Sequence, residues 1–197
     1  MTGRVTVWLP VLLALATAAH AEEFVVRPGG ASQVGFLSKA TVESFTGKTS
    51  QMEGRIAVDP TAVGDSITVR VEVDLASLDT GIGKRNQHMR ENHLETAKYP
   101  KAVFTGATVG GPAGAKLEPG QPVWFDVEGT FALHGVSRRL RTQVEVTLED
   151  QGGKRRLRFK TAFPVSLAAY AISRPQFLFL KLADEQAVKV SGVAAAE

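Results

Sequence analysis

Most of the chain alternates apolar and polar side chains with a period of two residues. In the clearest run, Ser66 to Leu75, the valines share one side and the charged residues between them share the other. This alternation predicts a β-strand with one buried face and one solvated face. About eight long runs of this kind follow one another at hairpin spacing, so the pattern predicts an all-β domain.

These strands could bury their apolar faces in two ways. An antiparallel sheet of about eight strands can close into a barrel, or two sheets can pack face to face in a sandwich. The sequence period does not separate the two. Near the C-terminus the alternation predicts a closing pair of strands, Phe177 to Leu182 and Ala187 to Val193.

One segment, residues 77–104, breaks the period-two pattern. It reads SLDTGIGKRNQHMRENHLETAKYPKAVF, with glycines at its start, good helix formers in its middle and Tyr99-Pro100 near its end. Proline removes a backbone donor and disfavours a helical residue before it, so a helix must stop there. Because apolar contacts are few, the segment predicts one or two short helical turns that carry a cluster of cations.

The N-terminus predicts a targeting segment. Arg4 supplies a positive charge, residues 5–19 are mostly apolar, and Ala19-His20-Ala21 has the small-x-small form of a cleavage site. The apolar run is shorter than the roughly 20 residues that a membrane-spanning helix needs. We therefore expect a signal peptide over residues 1–21, cleaved after Ala21. The remaining residues, 22–197, are expected to form one exported domain, which is periplasmic if the source is a Gram-negative bacterium.

Charge and composition exclude one class of partner. The 197 residues carry a formal net charge of +3 with both signs interspersed. A nucleic-acid-binding protein usually shows a concentrated basic face, so no nucleic-acid partner is expected. The chain has no cysteine. An exported domain of this kind must therefore rely on apolar burial in place of disulfides.

The residues that could carry chemistry are scattered. There is no G-x-S-x-G elbow, no cysteine nucleophile and no H-E-x-x-H motif. His88 and His93 are five residues apart, a spacing that does not place two metal ligands on one helical face. His134 precedes a turn glycine, where a structural hydrogen bond is the expected role. The sequence therefore predicts no catalytic site, no metal site and no cofactor.

Several short motifs occur in order along the chain. They are S-x-V-x-F at 32–36, SLDTG at 77–81, R-x-x-H-M-R-E at 85–91, LETAKYP at 94–100, A-x-F at 102–104 and LHGVSR at 133–138. Each motif is weak alone. The ordered set at this spacing resembles the YceI-like family of exported lipid-binding proteins, over essentially the whole mature chain.

The resemblance implies an eight-stranded antiparallel barrel, lipocalin-like in shape, with one or two short helices. It also implies an elongated apolar tunnel that holds a polyisoprenoid, such as an isoprenoid quinone or a prenyl diphosphate. Two residues depart from the family pattern, since Asn86 stands where many members have Asp and His93 where an aromatic is common. If these groups orient the ligand head or cap the tunnel, head-group preference here differs from that of other members.

The candidate ligand-binding residues are inward apolar side chains of the strands together with groups of the interrupting segment. A tunnel for a prenyl tail needs no precise polar contacts, because each methylene group moved out of water contributes about 0.8 kcal/mol. Arginine offers a planar fork of donors that suits phosphate, and a cation cluster at the tunnel mouth can receive a ligand head. The candidates are Phe36, Phe45, Val71, Val73, Arg85, His88, Met89, Phe104, Phe125, Phe131, Leu133, Phe163 and Phe177.

Other interpretations stay open at this point. The interior can be a packed core with no tunnel, and the cations can simply solvate a helical surface or pair with Glu91 and Glu95. The leading hypothesis is a periplasmic carrier or storage protein for an isoprenoid lipid or quinone. The rivals are an enzyme that acts on such a lipid through His88 or His134, and a ligand-free interaction module. A homodimer and a transient contact with a membrane or a membrane protein are further partner hypotheses.

Overall fold

The computed structural model describes residues 21–39, 44–60, 63, 67–177 and 180–197, and of residues 176, 177, 180 and 181 the backbone alone. The predicted signal peptide lies outside these residues apart from Ala21. The described strands are β1 Glu22–Val26, β2 Gln33–Lys39, β3 Ser44–Thr49, β4 Met52–Val58, β5 Thr68–Asp74, β6 Lys101–Gly110, β7 Pro122–Leu133, β8 Val136–Gln151, β9 Lys154–Ser166, β10 Gln176–Phe177, β11 Leu180–Lys181 and β12 Glu185–Ala196.

Ten of these strands form one antiparallel sheet that closes on itself. The neighbours run β1-β4-β5-β6-β7-β8-β9-β12, and β12 returns to pair with β2 and then with β1 along its second edge. β1 and β2 thus share one position around the ring. β3 and β4, which are consecutive in sequence and pair with β2 and β1, share another. The expected eight-stranded antiparallel barrel is confirmed, and the sandwich alternative is wrong.

The predicted closing pair of strands near the C-terminus is wrong. β10 and β11 pair with each other in a separate two-stranded sheet. β12 is longer than predicted, and its two edges are taken by β9 on one side and by β2 and β1 on the other. The long alternating run of β9 offers eleven paired positions to β12, which a strand as short as β11 cannot match.

The connection from β5 to β6 covers one end of the barrel, which we call the helix end. It contains the 3-10 turn Leu75–Ser77, the helix α1 Gly83–His88 and a wider π-helical turn, Met89–His93. The predicted short helical turns are therefore confirmed. Leu75, Leu78 and Leu94 of this connection are buried in one apolar cluster with residues of β7 and of the loop after β9. No helix in the described part of the chain is both long and apolar enough to cross a bilayer.

The opposite end of the barrel, the closed end, is filled by loops. Val63 N–H donates to Ala115 O at 3.2 Å, and Leu117 N–H donates to Pro60 O at 2.9 Å. Val63 and Leu117 are both buried, and they pack with Phe24 in the larger apolar cluster of the protein. Apolar burial thus seals this end of the barrel from water.

The barrel wall parts toward the helix end along what we call the seam, between β8 and β9. Their ladder ends at Val144 opposite Thr161, and beyond it β8 pairs with β7 alone and β9 with β12 alone. The 3-10 turn Ala168–Tyr170 bridges the seam, because Arg138 Nε donates to Ala169 O and His134 Nδ1 lies 3.1 Å from Tyr170 O.

Two glycines allow β6 and β7 to approach closely, and they generate a prediction about stability. Gly106 and Gly129 pair across the two strands, and a Cβ on Gly129 would meet Thr105 O and would lie 2.5 Å from Gly106 Cα. We expect Gly129→Ala to lower the free energy of unfolding by about 1–3 kcal/mol, as overpacking does elsewhere. Urea unfolding of the purified variant measures this loss.

The matched control is Gly83→Ala, at a position where an added Cβ meets nothing within 4 Å. Its free energy of unfolding is expected to stay within about 0.5 kcal/mol of the wild type. Equal stability of the two variants would contradict the close approach of β6 and β7.

Candidate functional site

The barrel encloses a cavity of about 840 Å³. This volume lies within the range of natural ligand pockets. The packed-core alternative is therefore wrong for this barrel. Among the described wall residues there is no carboxylate, and the polar groups are few. They are Ser38, Lys84, Arg85, His88, His93, Thr142, Thr161 and Gln186.

Twelve of the thirteen residues predicted from the sequence contribute to the cavity wall. The thirteenth, Phe177, has a described backbone in β10, but its side chain lies outside the described part of the chain. The strand positions among the twelve fall on the inward face that the period-two pattern assigned to them. The twelve are Phe36, Phe45, Val71, Val73, Arg85, His88, Met89, Phe104, Phe125, Phe131, Leu133 and Phe163.

Phenylalanine rings of the wall lie flat over glycines, and this keeps the cavity open. Phe159 pairs with Gly192 across β9 and β12, and a Cβ on Gly192 would collide with its ring. Phe36 lies in the same way over its cross-strand partner Gly47, and Phe104 lies over Gly106 in its own strand. Because glycine has no side chain, the ring can fold back against the wall instead of pointing to the centre.

The cavity reaches the surface beside α1. Of the described wall residues, Lys84 and His88 are the exposed ones, and both lie on this helix. All others are buried or half-buried. The mouth of the cavity therefore lies at the helix end and carries positively charged and imidazole side chains.

Arg85 is held in place at the mouth by its own neighbours. Its Nε donates to Thr80 Oγ1 at 2.9 Å and its Nη2 donates to Thr80 O at 2.8 Å. The guanidinium lies 4.2 Å from the ring centroid of Phe45, which meets Phe36 edge to face at 6.1 Å. Arg85 thus forms a fixed, positively charged rim over an aromatic wall.

The cations of this segment do not pair with its acids, contrary to one interpretation of the sequence. Glu91 accepts a hydrogen bond from Gln87, and Glu95 lies 2.7 Å from His134 Nε2. Arg90 donates to Ala76 O at 2.9 Å. The Arg85 guanidinium therefore keeps its charge at the mouth without a carboxylate partner among the described residues.

Asn86, one of the two departures from the family pattern, does not contribute to the cavity wall. Its side chain is 9% exposed, and its Oδ1 accepts from Thr80 N–H at 2.8 Å and from Thr80 Oγ1 at 2.7 Å. Its Nδ2 donates to Asp79 Oδ1 at 2.6 Å. Hydrogen bonds from Gly81 N–H and from Asn86 lower the pKa of Asp79. Asn86 thereby fixes Thr80, which in turn holds Arg85.

His88 and His93 form a contact at the mouth. Nε2 of His93 lies 3.2 Å from Nδ1 of His88, and Nδ1 of His93 lies 2.8 Å from Ser173 O. Burial lowers the pKa of His93 and the electrostatic effect of the neighbouring His88 adds to this, while the Ser173 carbonyl acts in the opposite direction. Both rings also line the cavity, and the departure from the family pattern at His93 thus lies within the wall.

The family model for the YceI-like domain matches residues 24–194. The chain belongs to the YceI-like family. The match begins in β1 and ends in β12, so it spans the whole closed ring of strands.

Curated relatives and solved structures agree with this assignment. A UPF0312 protein of Vibrio parahaemolyticus is 29% identical over 140 residues, which cover 70% of this chain and 69% of that protein. The protein YceI of Escherichia coli O157:H7 is 31% identical over 91 residues, 44% of this chain and 43% of the relative.

Among solved structures, a polyisoprenoid binding domain from Saccharophagus degradans, implicated in plant cell wall breakdown, has a TM-score of 0.67 at 22% identity. It covers 90% of this chain and 100% of its own. BcnA of Burkholderia cenocepacia has a TM-score of 0.63 at 20% identity, and the alignment covers 83% of this chain and 96% of BcnA. At these identities the likeness shows that the YceI-like fold is shared.

Sequence reasoning missed several polar wall residues. Ser38 ends the inward row of β2 and is 1% exposed, and its hydroxyl has no hydrogen-bond partner in the described part of the chain. Gln186 begins the inward row of β12, is 6% exposed and donates from Nε2 to Ala183 O at 2.8 Å. The available signal was a polar residue at the end of an otherwise apolar face, near the helix end.

His134 lies outside the cavity wall. It bonds to Tyr170 O and to Glu95, and its ring meets Tyr99 edge to face at 4.6 Å between centroids. His134 therefore makes structural hydrogen bonds, as the sequence predicted.

The Asn86 network generates a prediction that depends on pH. Asn86→Asp replaces the donor to Asp79 by a second carboxylate, so the pair repels and the pKa of one carboxyl rises above its ordinary value. A carboxyl whose pKa is raised in the folded state is fully destabilising at neutral pH. The loss in free energy of unfolding shrinks as the pH falls through the raised pKa. We expect a loss of about 2 kcal/mol near pH 7 that is largely recovered near pH 4, measured by urea unfolding at both values.

Asn92→Asp is the matched control, since Asn92 lies in the same segment and is exposed. It is expected to change the free energy of unfolding by less than about 0.5 kcal/mol at either pH. An Asn86→Asp loss that is the same at both pH values would argue against a carboxylate pair.

Proposed function

We propose that this protein binds an isoprenoid lipid in its barrel and shields it from water, as a periplasmic carrier or store without catalytic turnover. The observation that carries the proposal is the cavity of about 840 Å³, with an apolar wall and a cationic mouth. The polyisoprenoid binding domain of Saccharophagus degradans, which has the same fold, supports the same class of ligand.

The size of the cavity fits a chain of intermediate length. At about 30 Å³ for each water-sized group, a volume of about 840 Å³ holds roughly 25 carbon atoms and a small head. Burying about 20 such carbons contributes roughly 16 kcal/mol before the cost of ordering the chain. Apolar burial alone is therefore sufficient to hold a prenyl tail.

The mouth supports a head group that accepts hydrogen bonds. Arg85 presents its guanidinium over Phe45 and has no carboxylate partner among the described residues, and His88 and Lys84 lie beside it. A quinone carbonyl or a phosphate oxygen is the complementary group for such donors. The wall below the mouth contributes no competing carboxylate among its described residues. We propose that the tail enters first and the head stays beside α1.

Lipid recovery tests the proposal directly. Protein purified without detergent is expected to release an isoprenoid lipid on extraction, identified by mass spectrometry, and the emptied protein is expected to take up added prenyl quinone. Val71→Phe places a ring in the cavity from the inward face of β5 and should weaken uptake at least tenfold, with the fold retained. Repeated recovery of lipid-free protein that also refuses added prenyl quinone would overturn the proposal.

The matched control for Val71→Phe is Thr68→Phe. Thr68 is exposed on the outer face of the same strand, so the same ring is added outside the cavity. Uptake by this variant is expected to equal that of the wild type. If both variants bind equally well, the ligand does not occupy the barrel interior.

Arg85 generates a second prediction about the ligand. Arg85→Met keeps a long apolar stem against Phe45 but removes the donors. We expect affinity for a prenyl quinone or prenyl diphosphate to fall about tenfold, the worth of one charge-assisted hydrogen bond, while affinity for a headless prenyl hydrocarbon is unchanged. Equilibrium titration with matched ligands measures the difference. An equal loss for both ligands would show that Arg85 acts through packing.

A further inference from the structure

An apolar side chain projects into solvent beside the cavity mouth. Ile82 is 51% exposed and lies directly before α1, between Gly81 with a φ of +82° and Gly83. Val109 at 47% and Trp124 at 52% are the other large apolar side chains of the described chain that are this exposed. Those two lie at the end of β6 and the start of β7, toward the closed end of the barrel. Ile82 is therefore the exposed apolar residue at the helix end.

Three cations without a salt-bridge partner among the described residues lie at the helix end, as Ile82 does. Lys84 is exposed two residues further along the chain. Lys48 is exposed on β3, and its backbone N–H and C=O exchange two hydrogen bonds of 2.9 Å with the backbone of Asp79. No carboxylate of the described residues lies within 4.0 Å of the charged nitrogens of Lys48, Lys84 or Arg85. Asp79, the acid of the loop before α1, accepts hydrogen bonds from Gly81 N–H and from Asn86 Nδ2. The charge of Lys48 also acts on Asp79. Three cations nevertheless outnumber this one acid, so the loop before α1 and the start of α1 combine one apolar anchor with an excess of positive charge, the pattern of an interfacial membrane contact.

Transfer of the proposed ligand is a reason for the protein to contact a bilayer. Each methylene group of a free tail lowers its solubility in water by roughly fourfold, so a prenyl chain leaves a bilayer through water very slowly. A protein that touches the bilayer with the mouth of its cavity offers the tail a path that avoids water. The exposed wall residues Lys84 and His88 place that mouth next to Ile82.

We propose that Ile82, together with Lys48, Lys84 and Arg85, docks the helix end of the barrel on an anionic lipid bilayer for ligand transfer. Ile82 enters the head-group layer while the cations meet lipid phosphates. The inference rests on the proposed function, because a docking surface at the mouth serves the transfer of a lipid. Asp is a favourable residue at the position before a helix, so Ile82→Asp removes the anchor without disturbing α1.

The test measures the rate of lipid uptake from vesicles. The probe is a fluorescent ester of geranylgeraniol in vesicles of equal parts phosphatidylcholine and phosphatidylglycerol, mixed with the full domain in a stopped-flow instrument. Wild-type uptake should speed up in proportion to vesicle concentration and slow down with added salt or in pure phosphatidylcholine. Ile82→Asp should slow uptake about tenfold, while equilibrium affinity for the same probe delivered from cyclodextrin stays unchanged.

Val109→Asp and Trp124→Asp are the matched controls, because they remove the other exposed apolar side chains away from the mouth. Both should take up the probe at the wild-type rate. A rate that is independent of vesicle concentration, an unchanged rate in Ile82→Asp, or an equal slowing in all three variants would each overturn the docking proposal. A wild-type protein that fails to bind the probe even from cyclodextrin would overturn the proposed function and this inference with it.

Discussion

The placement of phenylalanine rings against the wall is the constraint on which the cavity depends. A barrel of this size with so many inward aromatic side chains would fill its own centre if the rings pointed inward. Glycine opposite or beside the ring removes that conflict, as at Gly47, Gly106 and Gly192. The rings then contribute apolar surface to the wall and leave the axis open.

An open interior makes fewer packing contacts than a filled core and so contributes less to stability. Apolar burial at the two ends of the barrel and pairing along its strands compensate for this loss. The larger apolar cluster is concentrated at the closed end, and a second one lies under the β5 to β6 connection. On the outer surface, charged side chains form cross-strand pairs such as Arg141 with Asp126 and Lys101 with Glu72. These exposed pairs are worth little individually. The stability of the barrel therefore rests on its two apolar ends and its continuous ladders.

Much of the barrel follows from local pattern, whereas the cavity mouth does not. The inward rows of β5 and β7 could be assigned because alternation directly encodes which face is dry. The role of Asn86 could not be read from the sequence, because a polar residue in a cationic segment looks the same whether it faces a ligand or a neighbouring backbone. Its partners, Thr80 and Asp79, belong to the loop before α1, and only the folded turn brings them together. The openness of the interior was equally hidden, since Phe36 and Gly47 meet only through the register of β2 with β3.

The seam has a consequence for how these molecules behave toward one another. Where β8 and β9 part, their backbones no longer pair with each other, although Thr161 Oγ1 still donates to Gln143 O at the start of the gap. Unpaired strand borders of this kind are templates for intermolecular sheet growth. The chain places Pro164 on one border, and the exposed Arg139 and Arg141 on the other. Proline cannot donate to an added strand. Arg139 and Arg141 are ion-paired with Glu128 and Asp126, and such exposed charged side chains disfavour edge-to-edge pairing because an added strand would bury them. These residues disfavour the addition of a strand at the seam, so the barrel wall can part there with less risk of strand-to-strand aggregation.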